Sequence, residues 1–346
     1  MSTQIQFRRD TAANWTSNNP ILSQGEVGLE TDTHSYKIGD GATAWTSLSY
    51  SQLAPQINTL QMTGQSSDPT TPASGNLVVY SKSIGGRMML KQVGPSGIAT
   101  AFQPFLARNK VGYWAAPGNN TTTPGVFGYT APTTTGTAET RTVAITSFFT
   151  RMRRLGYQSA ATAGSLAYQY IAVAQVTIGD GAGNGGFYKI CRFGIADPAA
   201  VSGARMFCGV SSSIAAPTNV EPSTLTNSIG MGHGAADTNM SIFYGGSSAQ
   251  TPINLGSNFP CNTRNTDVYE LALFAPSNSN NTVYYEVTRL NTGNVSKGSI
   301  TDTSGTGVML PTSSTLLSYQ RIWRCNNLTA LAVGYDVMSD YIETDN

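Results

Sequence analysis

The sequence contains little charge. Only 11% of its 346 residues are Asp, Glu, Lys or Arg, and 20 basic residues nearly cancel 19 acidic ones to a formal net charge of +1. An average soluble domain is roughly 25% charged. A balance this sparse offers no electrostatic footprint for nucleic acid or for an anionic membrane surface. The chain also lacks a run of about 18 apolar residues, so we expect no membrane insertion.

Cysteine and histidine are scarce as well. The histidines are His34 and His233, and the cysteines are Cys191, Cys208, Cys261 and Cys325. No two cysteines have the close spacing of a zinc site, and no phosphate-loop, dinucleotide or nucleophile-elbow motif is present. The sequence therefore predicts no metal and no cofactor. We interpret the cysteines as free buried thiols of a protein folded in a reducing cytoplasm, with a disulfide framework as the alternative.

Side chains that could act in catalysis are also few. A glycosidase needs paired carboxylates, and spacing alone pairs none of the central acids, which are Glu221, Asp237, Asp267, Glu270 and Glu286. A serine triad would need a histidine, but His34 falls in a predicted hairpin turn and His233 in a predicted exposed loop. We therefore predict that the protein is not an enzyme, and we keep a polysaccharide depolymerase as an alternative.

The residues that replace charge are 36 glycines with many Thr, Ser and Asn, together with β-branched and aromatic residues. This mixture is typical of strands and turns and predicts a mainly β fold. Residues 1–50 form one predicted unit, with Asp10 capping a short helix, a hairpin around residues 31–35, and Trp15 and Trp45 as core anchors. Fifty residues bury little surface, so we expect this unit to self-associate.

Residues 51–110 are predicted to form a linker and an intertwined β shaft. Residues 55–63 read as a short helix or a coil of strands, and two strand-like runs flank Gly85 and Gly86, which favours a hairpin. Because a lone hairpin is marginal in water, we expect it to pair with copies of itself. Residues 111–160 are predicted to form a connector that is irregular over 111–140 and carries a short helix at 147–155, capped by Ser147.

Residues 161–346 are strand-rich. Turn signals separate strand-like runs at 166–178, 187–195, 205–211, 240–244, 267–275, 282–290 and 331–343. This pattern predicts a C-terminal β-sandwich knob of jelly-roll or lectin-like kind. Two predicted loops, 213–238 and 245–265, together with their flanks carry Asn239, Tyr244, Asn262 and Arg264. Rings, amides and guanidinium groups of this kind suit sugars, so we predict a ligand site here, with ordinary polar loops or contacts between protomers as the alternative.

Three motifs in the first fifty residues resemble a known module. They are IQFRRDTAANW at 5–15, LSQGEVGLETD at 22–32 and YKIGDG at 36–41, followed by Trp45. This pattern is similar to the N-terminal domain of the major tropism determinant family of tailed-bacteriophage fibre proteins. The resemblance implies a virion structural protein, usually a homotrimer, docked to tail, baseplate or capsid proteins through residues 1–50. It points to Arg8, Arg9, Trp15 and Trp45 as residues of the virion anchor.

The resemblance also bears on where the protein is located and what it does. Together with the polar loops of the predicted knob, the low charge and the free cysteines, it predicts a tail fibre that is assembled in the host bacterial cytoplasm, is carried on the virion, and binds a host-surface receptor, such as a glycan, through its C-terminal domain. The family also places this module on head fibres and decoration proteins, so a head fibre with a structural or weakly adhesive role is the alternative. Residues 161–346 do not resemble the C-type-lectin domain of tropism determinants, and no ligand residue is carried over to them.

Overall fold

The computed structural model describes residues 7–51, 59–95, 97, 99–101, 110–118, 121–128, 130–173, 175–217 and 219–344. The chain divides into two compact units, residues 1–62 and 63–346. Of the short helix or coil predicted at 55–63, residues 55–58 lie outside the described residues, and residues 59–63 form neither helix nor strand. Across the described ranges, no helix has the length and apolar character needed to cross a membrane.

The first unit is a small sheet with one helix. Its elements are β1 (Arg8–Asp10), α1 (Ala12–Asn18), β2 (Val27–Glu30) and β3 (Tyr36–Ile38). Strand β1 runs parallel to β2, and β2 runs antiparallel to β3, which confirms the hairpin around residues 31–35. The predicted cap was wrong by one residue. Thr11, not Asp10, is the N-cap, because its side chain accepts a hydrogen bond from the Asn14 backbone N–H at 3.2 Å.

Two tryptophans form the centre of this unit, as the sequence predicted. The rings of Trp15 and Trp45 stack with centroids 4.2 Å apart, and both side chains are buried together with Leu22. The Trp15 indole N–H donates to the Leu29 carbonyl at 3.0 Å, so its polar edge is satisfied. The pair therefore locks α1 and the loop after β3 onto the sheet.

The second unit begins with a four-stranded layer, which we call the hairpin sheet. Its strands are β4 (Gly64–Gln65), β5 (Val78–Ile84), β6 (Arg87–Val93) and β7 (Ala99–Ala101), hydrogen-bonded in that order. The β5–β6 pair confirms the predicted hairpin. Gly85 and Gly86 both have positive φ, 55° and 85°, a conformation that glycine adopts without steric cost.

The remaining described elements of the second unit follow in chain order. They are β8 (Lys110–Ala115), β9 (Gly125–Phe127), β10 (Thr133–Thr135), β11 (Thr137–Glu139), α2 (Phe148–Arg151), β12 (Leu155–Gln158), β13 (Leu166–Tyr170), β14 (Phe187–Ile195), β15 (Arg205–Ser211), a 3-10 turn (Pro222–Thr224), β16 (Ser228–His233), β17 (Ser241–Gly245), β18 (Ile253–Asn254), β19 (Tyr269–Ala275), β20 (Thr282–Arg289), β21 (Asn294–Thr301), β22 (Ser318–Cys325) and β23 (Gly334–Thr344).

These strands form two sheets that face each other. Sheet A has the order β10-β13-β22-β15-β16-β17-β18, and sheet B has the order β11-β12-β23-β14-β19-β20-β21, with β8 beside β23 and β9 beside β8. One cluster of buried apolar side chains draws on both sheets, and the Sγ atoms of Cys191 in sheet B and Cys208 in sheet A lie 3.5 Å apart. The mainly β fold is confirmed, and its large domain is a β-sandwich.

A polar chain crosses the middle of this core. The Lys189 ammonium of β14 pairs with the Asp340 carboxylate of β23, and the Gln320 side-chain amide of β22 donates to the same carboxylate at 2.8 Å. Gln169 of β13 continues the chain with a 2.7 Å hydrogen bond to Gln320. All four side chains are fully buried. Because a buried polar group without a partner is costly, this chain fixes how the two sheets align.

Three predictions of secondary structure need correction. Residues 111–140 are not an irregular connector, since β8 pairs with β23 along six residues and buries Trp114 in the core. The predicted strand at 166–178 ends at Tyr170. The predicted helix at 147–155 is only Phe148–Arg151, although its Ser147 cap is confirmed.

The helix ends early because of Arg154. Its guanidinium turns to the buried Asp336 carboxylate, with Nε 3.0 Å from Oδ2, and Leu155 then starts β12. Arg141 contacts the other oxygen of Asp336 at 3.0 Å. Burial raises the pKa of Asp336 while the two arginines oppose that rise. Sequence alone allows the arginines of this segment, Arg151, Arg153 and Arg154, to form a solvated face, salt bridges between protomers or an anion-binding patch, whereas Arg154 forms an ion pair within the chain.

Candidate ligand-binding site

A cavity of about 320 Å³ opens at one edge of the sandwich, where β14, β16 and β22 end and β15 begins. We call it the loop-end pocket. The side chains that give it its chemistry are Asp197, His233, Asp237, Cys261, Asn262, Arg264 and Arg324. Its volume falls at the low end of the roughly 300–1,000 Å³ typical of small-molecule sites.

The floor of the pocket is ionic. The Arg324 guanidinium grips the Asp197 carboxylate through two nitrogens, with Nε 2.6 Å from Oδ1, and its Nη1 donates to His233 Nε2 at 2.7 Å. All three side chains are buried, with at most 4% of each exposed. Burying charges is expensive unless they are paired and hydrogen-bonded, and here each charge has its partner.

His233 is held neutral in this floor. Its Nδ1–H donates to the Gly234 carbonyl at 3.1 Å, while Nε2 accepts from Arg324. Burial, with a further contribution from the Arg324 charge, lowers the pKa of His233 to about 3. An imidazole with both nitrogens occupied and so low a pKa is unsuited to act as a general base. The floor is therefore built for recognition rather than for proton transfer.

The prediction of an exposed loop at His233 was wrong. His233 ends β16, which lies between β15 and β17 in sheet A. Gly230 and Gly232 read as loop residues, but they let β16 approach β15 closely, since a Cβ added at Gly232 would lie 1.9 Å from the Met206 carbonyl oxygen. The predicted loop 213–238 is thus interrupted by a buried strand.

The rim of the pocket is polar and more exposed. Arg264 lines the pocket and is exposed, and it donates through Nη1 to the Pro198 carbonyl at 2.9 Å and the Asp197 carbonyl at 3.4 Å. Asp237 accepts the Gly234 N–H at 2.6 Å. The Cys261 thiol donates to the Asp237 carbonyl at 3.0 Å, and burial raises its pKa to about 11, which makes it a poor nucleophile.

The four predicted ligand residues separate into two pairs. Asn262 and Arg264 line the loop-end pocket. Asn239 instead forms an isolated antiparallel bridge with Pro260, and the ring of Tyr244 packs against the sandwich core. The binding role of all four remains a prediction, and the geometry brings together only Asn262 and Arg264.

The predicted anchor residues occupy the surface and the core of the first unit. Trp15 and Trp45 are 3% and 1% exposed, so they support the module from within. The Arg8 guanidinium lies over the Trp15 ring at 5.3 Å and pairs with Glu26 at 3.3 Å. Arg9 is exposed. Of the four predicted anchor residues, only the two arginines are exposed, and the anchoring role of all four remains a prediction.

Sequence reasoning missed the floor of the pocket. Asp197 and Arg324 are 127 positions apart, and no local spacing links two residues at such a distance. Asp197 follows the end of β14, and Arg324 lies near the end of β22. The only local feature that could have pointed to them is a charged residue at the end of a predicted strand, in a domain with few charged residues.

A family model matches the start of the chain. Residues 5–43 match the family described as "Major tropism determinant N-terminal domain". This range contains all three quoted motifs and leaves out only Trp45, and the resemblance stated from the sequence is confirmed. The rest of the chain, including the sandwich, lies outside this match.

The curated relatives are bacteriophage proteins. A protein named hyaluronoglucosaminidase from Streptococcus pyogenes phage H4489A is 43% identical over 47 residues, which cover 14% of this chain and 13% of that protein. Another of the same name from phage H10403 is 28% identical over 131 residues, 33% of this chain and 37% of that protein. The chain thus spans well under half the length of either relative.

Solved structures with a similar outline include lectins. Peanut lectin aligns with a TM-score of 0.43 at 11% identity, covering 68% of this chain and 97% of that chain. Arcelin-5, a lectin-like defence protein from Phaseolus vulgaris, aligns with a TM-score of 0.42 at 11% identity, covering 68% and 98%. Similarities this distant assign neither a ligand nor a binding residue.

Proposed function

We propose that the protein is a bacteriophage fibre that attaches to the virion through residues 1–50 and binds a host-surface receptor through its sandwich domain. The observation that carries the proposal is the match of residues 5–43 to the tropism-determinant N-terminal domain. Phage relatives support it. The alternative, a head fibre or capsid decoration protein, shares the anchor and differs in the partner that receives it.

We infer that the fibre is a homotrimer with a β shaft. The hairpin sheet supports this inference because its large apolar side chains Val79, Met88 and Leu90 are exposed, as is Leu77 just before β5. Exposed apolar surface on a small sheet favours burial against another copy. Trimerisation would also supply the stability that a unit of about fifty residues lacks alone.

The receptor-binding role rests on the second unit. The loop-end pocket places polar groups from several loops on a rigid sandwich, an arrangement common in binding sites. Its exposed amide and guanidinium, from Asn262 and Arg264, are donors suited to sugar hydroxyl and carboxylate oxygens. We therefore propose a host glycan as the receptor.

Competition with intact phage tests this proposal. Purified full-length protein is expected to reduce phage adsorption to host cells, because it occupies the same receptor. The double variant Asn262→Ala/Arg264→Ala is expected to compete about tenfold less well, since it removes hydrogen bonds to the receptor worth about 1.5–3 kcal/mol when charged. Thr303→Ala, at an exposed residue outside the pocket, serves as the control. Wild-type protein that leaves adsorption unchanged would refute the receptor-binding role.

A second candidate function is a polysaccharide depolymerase. The observation that favours it is the name of both relatives, hyaluronoglucosaminidase. Our proposal of a non-catalytic fibre predicts that full-length protein incubated with hyaluronan releases no new reducing ends. A time-dependent rise in reducing ends, at protein concentrations where a commercial hyaluronidase serves as positive control, would replace the fibre's binding role with hydrolysis.

A further inference from the structure

A second and larger cavity lies within the 63–346 unit, between the hairpin sheet and the outer face of sheet B. Its volume is about 730 Å³, more than twice that of the loop-end pocket, and the two cavities share no lining residue. We call it the charged groove. The strands that line its floor are β8, β14, β19, β20, β21 and β23, and β5 and β6 overhang it.

The overhang is fixed at the tip of the hairpin. The Gly85 N–H donates to the Glu286 carboxylate at 3.1 Å, and Arg87 forms an ion pair with the buried Glu343. The Arg87 guanidinium also lies over the Tyr188 ring at 5.1 Å. Contacts to three strands of sheet B hold the hairpin in place, so the groove has a preformed shape.

Charged residues are scarce in this chain, and several of them line the groove. Six of its 39 charged residues, 20 basic and 19 acidic, line it: Asp68, Lys82, Lys91, Arg192, Glu270 and Glu286. Three positive and three negative side chains leave it without net charge. A neutral groove rich in both donors and acceptors favours a ligand with many hydroxyl groups over a polyanion or a polycation.

The charges on the overhang are already paired. Asp68 accepts from Lys91 at 2.8 Å and from the Tyr80 hydroxyl at 2.6 Å. Burial opposes ionisation of Asp68, but these hydrogen bonds outweigh it and lower its pKa to about 2. The carboxylate thus positions the lysine and is not available as a catalytic acid.

Two charged side chains on the floor of the groove have hydrogen-bonding atoms without a partner among the described residues. Arg192 contacts Glu270 through Nε, which leaves its two terminal nitrogens open, and 43% of its side chain is exposed. Glu286 uses one oxygen for the Gly85 N–H. Among the residues that the structure describes, neither the other Glu286 oxygen nor the terminal nitrogens of Arg192 have a partner. Donor and acceptor therefore face the same space.

Two tyrosines provide the apolar component. Tyr113 of β8 and Tyr341 of β23 are paired in register and line the groove side by side. The Tyr341 hydroxyl donates to Glu343 at 2.6 Å, which fixes its ring, and Tyr113 is 40% exposed. Pyranose rings pack their C–H faces on aromatic rings while their hydroxyls take paired polar contacts. None of the residues lining the loop-end pocket is Phe, Tyr or Trp.

We propose that the charged groove is the main glycan-binding site of this protein, and that it takes an uncharged or weakly charged oligosaccharide of more than one sugar unit. Tyr113 and Tyr341 pack against sugar rings, and Arg192 and Glu286 hydrogen-bond to their hydroxyls. This inference rests on the proposed receptor-binding function and places its ligand. The loop-end pocket then contacts a different part of the intact receptor, so its Asn262→Ala/Arg264→Ala variant still competes less well for cells, while binding of an isolated oligosaccharide depends on the groove.

The test begins with full-length wild-type protein on an array of bacterial surface and capsular oligosaccharides, followed by calorimetric titration of the best-bound one. Tyr113→Ala is expected to weaken binding about tenfold, because it removes one aromatic face, while Tyr113→Phe keeps the ring and retains wild-type affinity. Glu286→Gln keeps the size and an oxygen for the Gly85 N–H, and is expected to weaken binding several-fold. Thermal melts and circular dichroism verify that each variant is folded.

The loop-end variant Arg264→Ala separates the two proposals. Affinity that falls in the groove variants and persists in Arg264→Ala supports the groove. Affinity lost in Arg264→Ala but unchanged in both Tyr113→Ala and Glu286→Gln overturns the groove and leaves the receptor-binding function intact. Absence of any bound oligosaccharide on the array also overturns the groove, and adsorption competition by the same wild-type preparation then decides whether receptor binding itself survives.

Discussion

Removing either charge of the Lys189–Asp340 pair is expected to lower the free energy of unfolding of the sandwich by about 3–5 kcal/mol. Both side chains lie in the centre of the core with no more than 1% exposed, so the surviving charge would remain buried without its partner. Burial alone would lower the pKa of Lys189, but the Asp340 carboxylate outweighs it and keeps that pKa raised. The loss should therefore be similar in Lys189→Met and Asp340→Ala.

A double variant makes this expectation specific. Lys189→Met/Asp340→Leu replaces the pair with apolar groups, and replacements of this kind are often neutral or stabilising when well packed. We therefore expect the double variant to be more stable than either single variant, in urea unfolding followed by circular dichroism. Losses that simply add would show that the two charges act independently, contrary to the pairing described.

Stability is also expected to fall with acid because of His233. The unfolded imidazole takes up a proton near pH 6.5, whereas the folded one has a pKa of about 3. The folded state therefore binds fewer protons, and the stability present above pH 6.5 is lost as the pH falls toward 3. The full loss corresponds to roughly 4–5 kcal/mol, of which about 2 kcal/mol should be gone at pH 5.

The variant His233→Gln isolates this contribution. Glutamine keeps an oxygen for the Arg324 guanidinium and does not titrate, so its unfolding free energy should change by about 2 kcal/mol less between pH 7 and pH 5 than that of the wild type. Both pH values lie above the ordinary pKa of the carboxylates, which limits their part in the difference. Parallel pH curves for the two proteins would contradict a neutral buried His233.

The sequence predicted best where apolar-rich runs lie between clear turn signals. The bounds of β14 and β15 match the predicted runs at 187–195 and 205–211, because turn residues bracket both strands. It failed at β16, where Gly230 and Gly232 serve close packing of strands rather than a turn. It also failed at β8, because the Gly, Pro and Thr residues that follow this six-residue strand indicate irregular structure.

The candidate sites show the same limit. Asn262 and Arg264 could be found because polar loops between strands are a local feature. The floor residue Arg324 and the groove residues Tyr113 and Glu286 could not, since each gains its role from strands that are distant in sequence. In residues 1–50 the resemblance to a known module predicted more than local physics did, and the family match at 5–43 confirms that resemblance.

The position of β23 has a consequence for synthesis of the protein. One edge of β23 pairs with β14, and its other edge pairs with β12 and then β8. Sheet B therefore cannot close until residue 344 has left the ribosome, about 150 residues after β14. At ~5–20 residues per second, β14 waits roughly 7–30 s with an open edge. Unpaired edges invite pairing with other chains, so nascent copies of this protein should need shielding by chaperones until the last of these strands arrives.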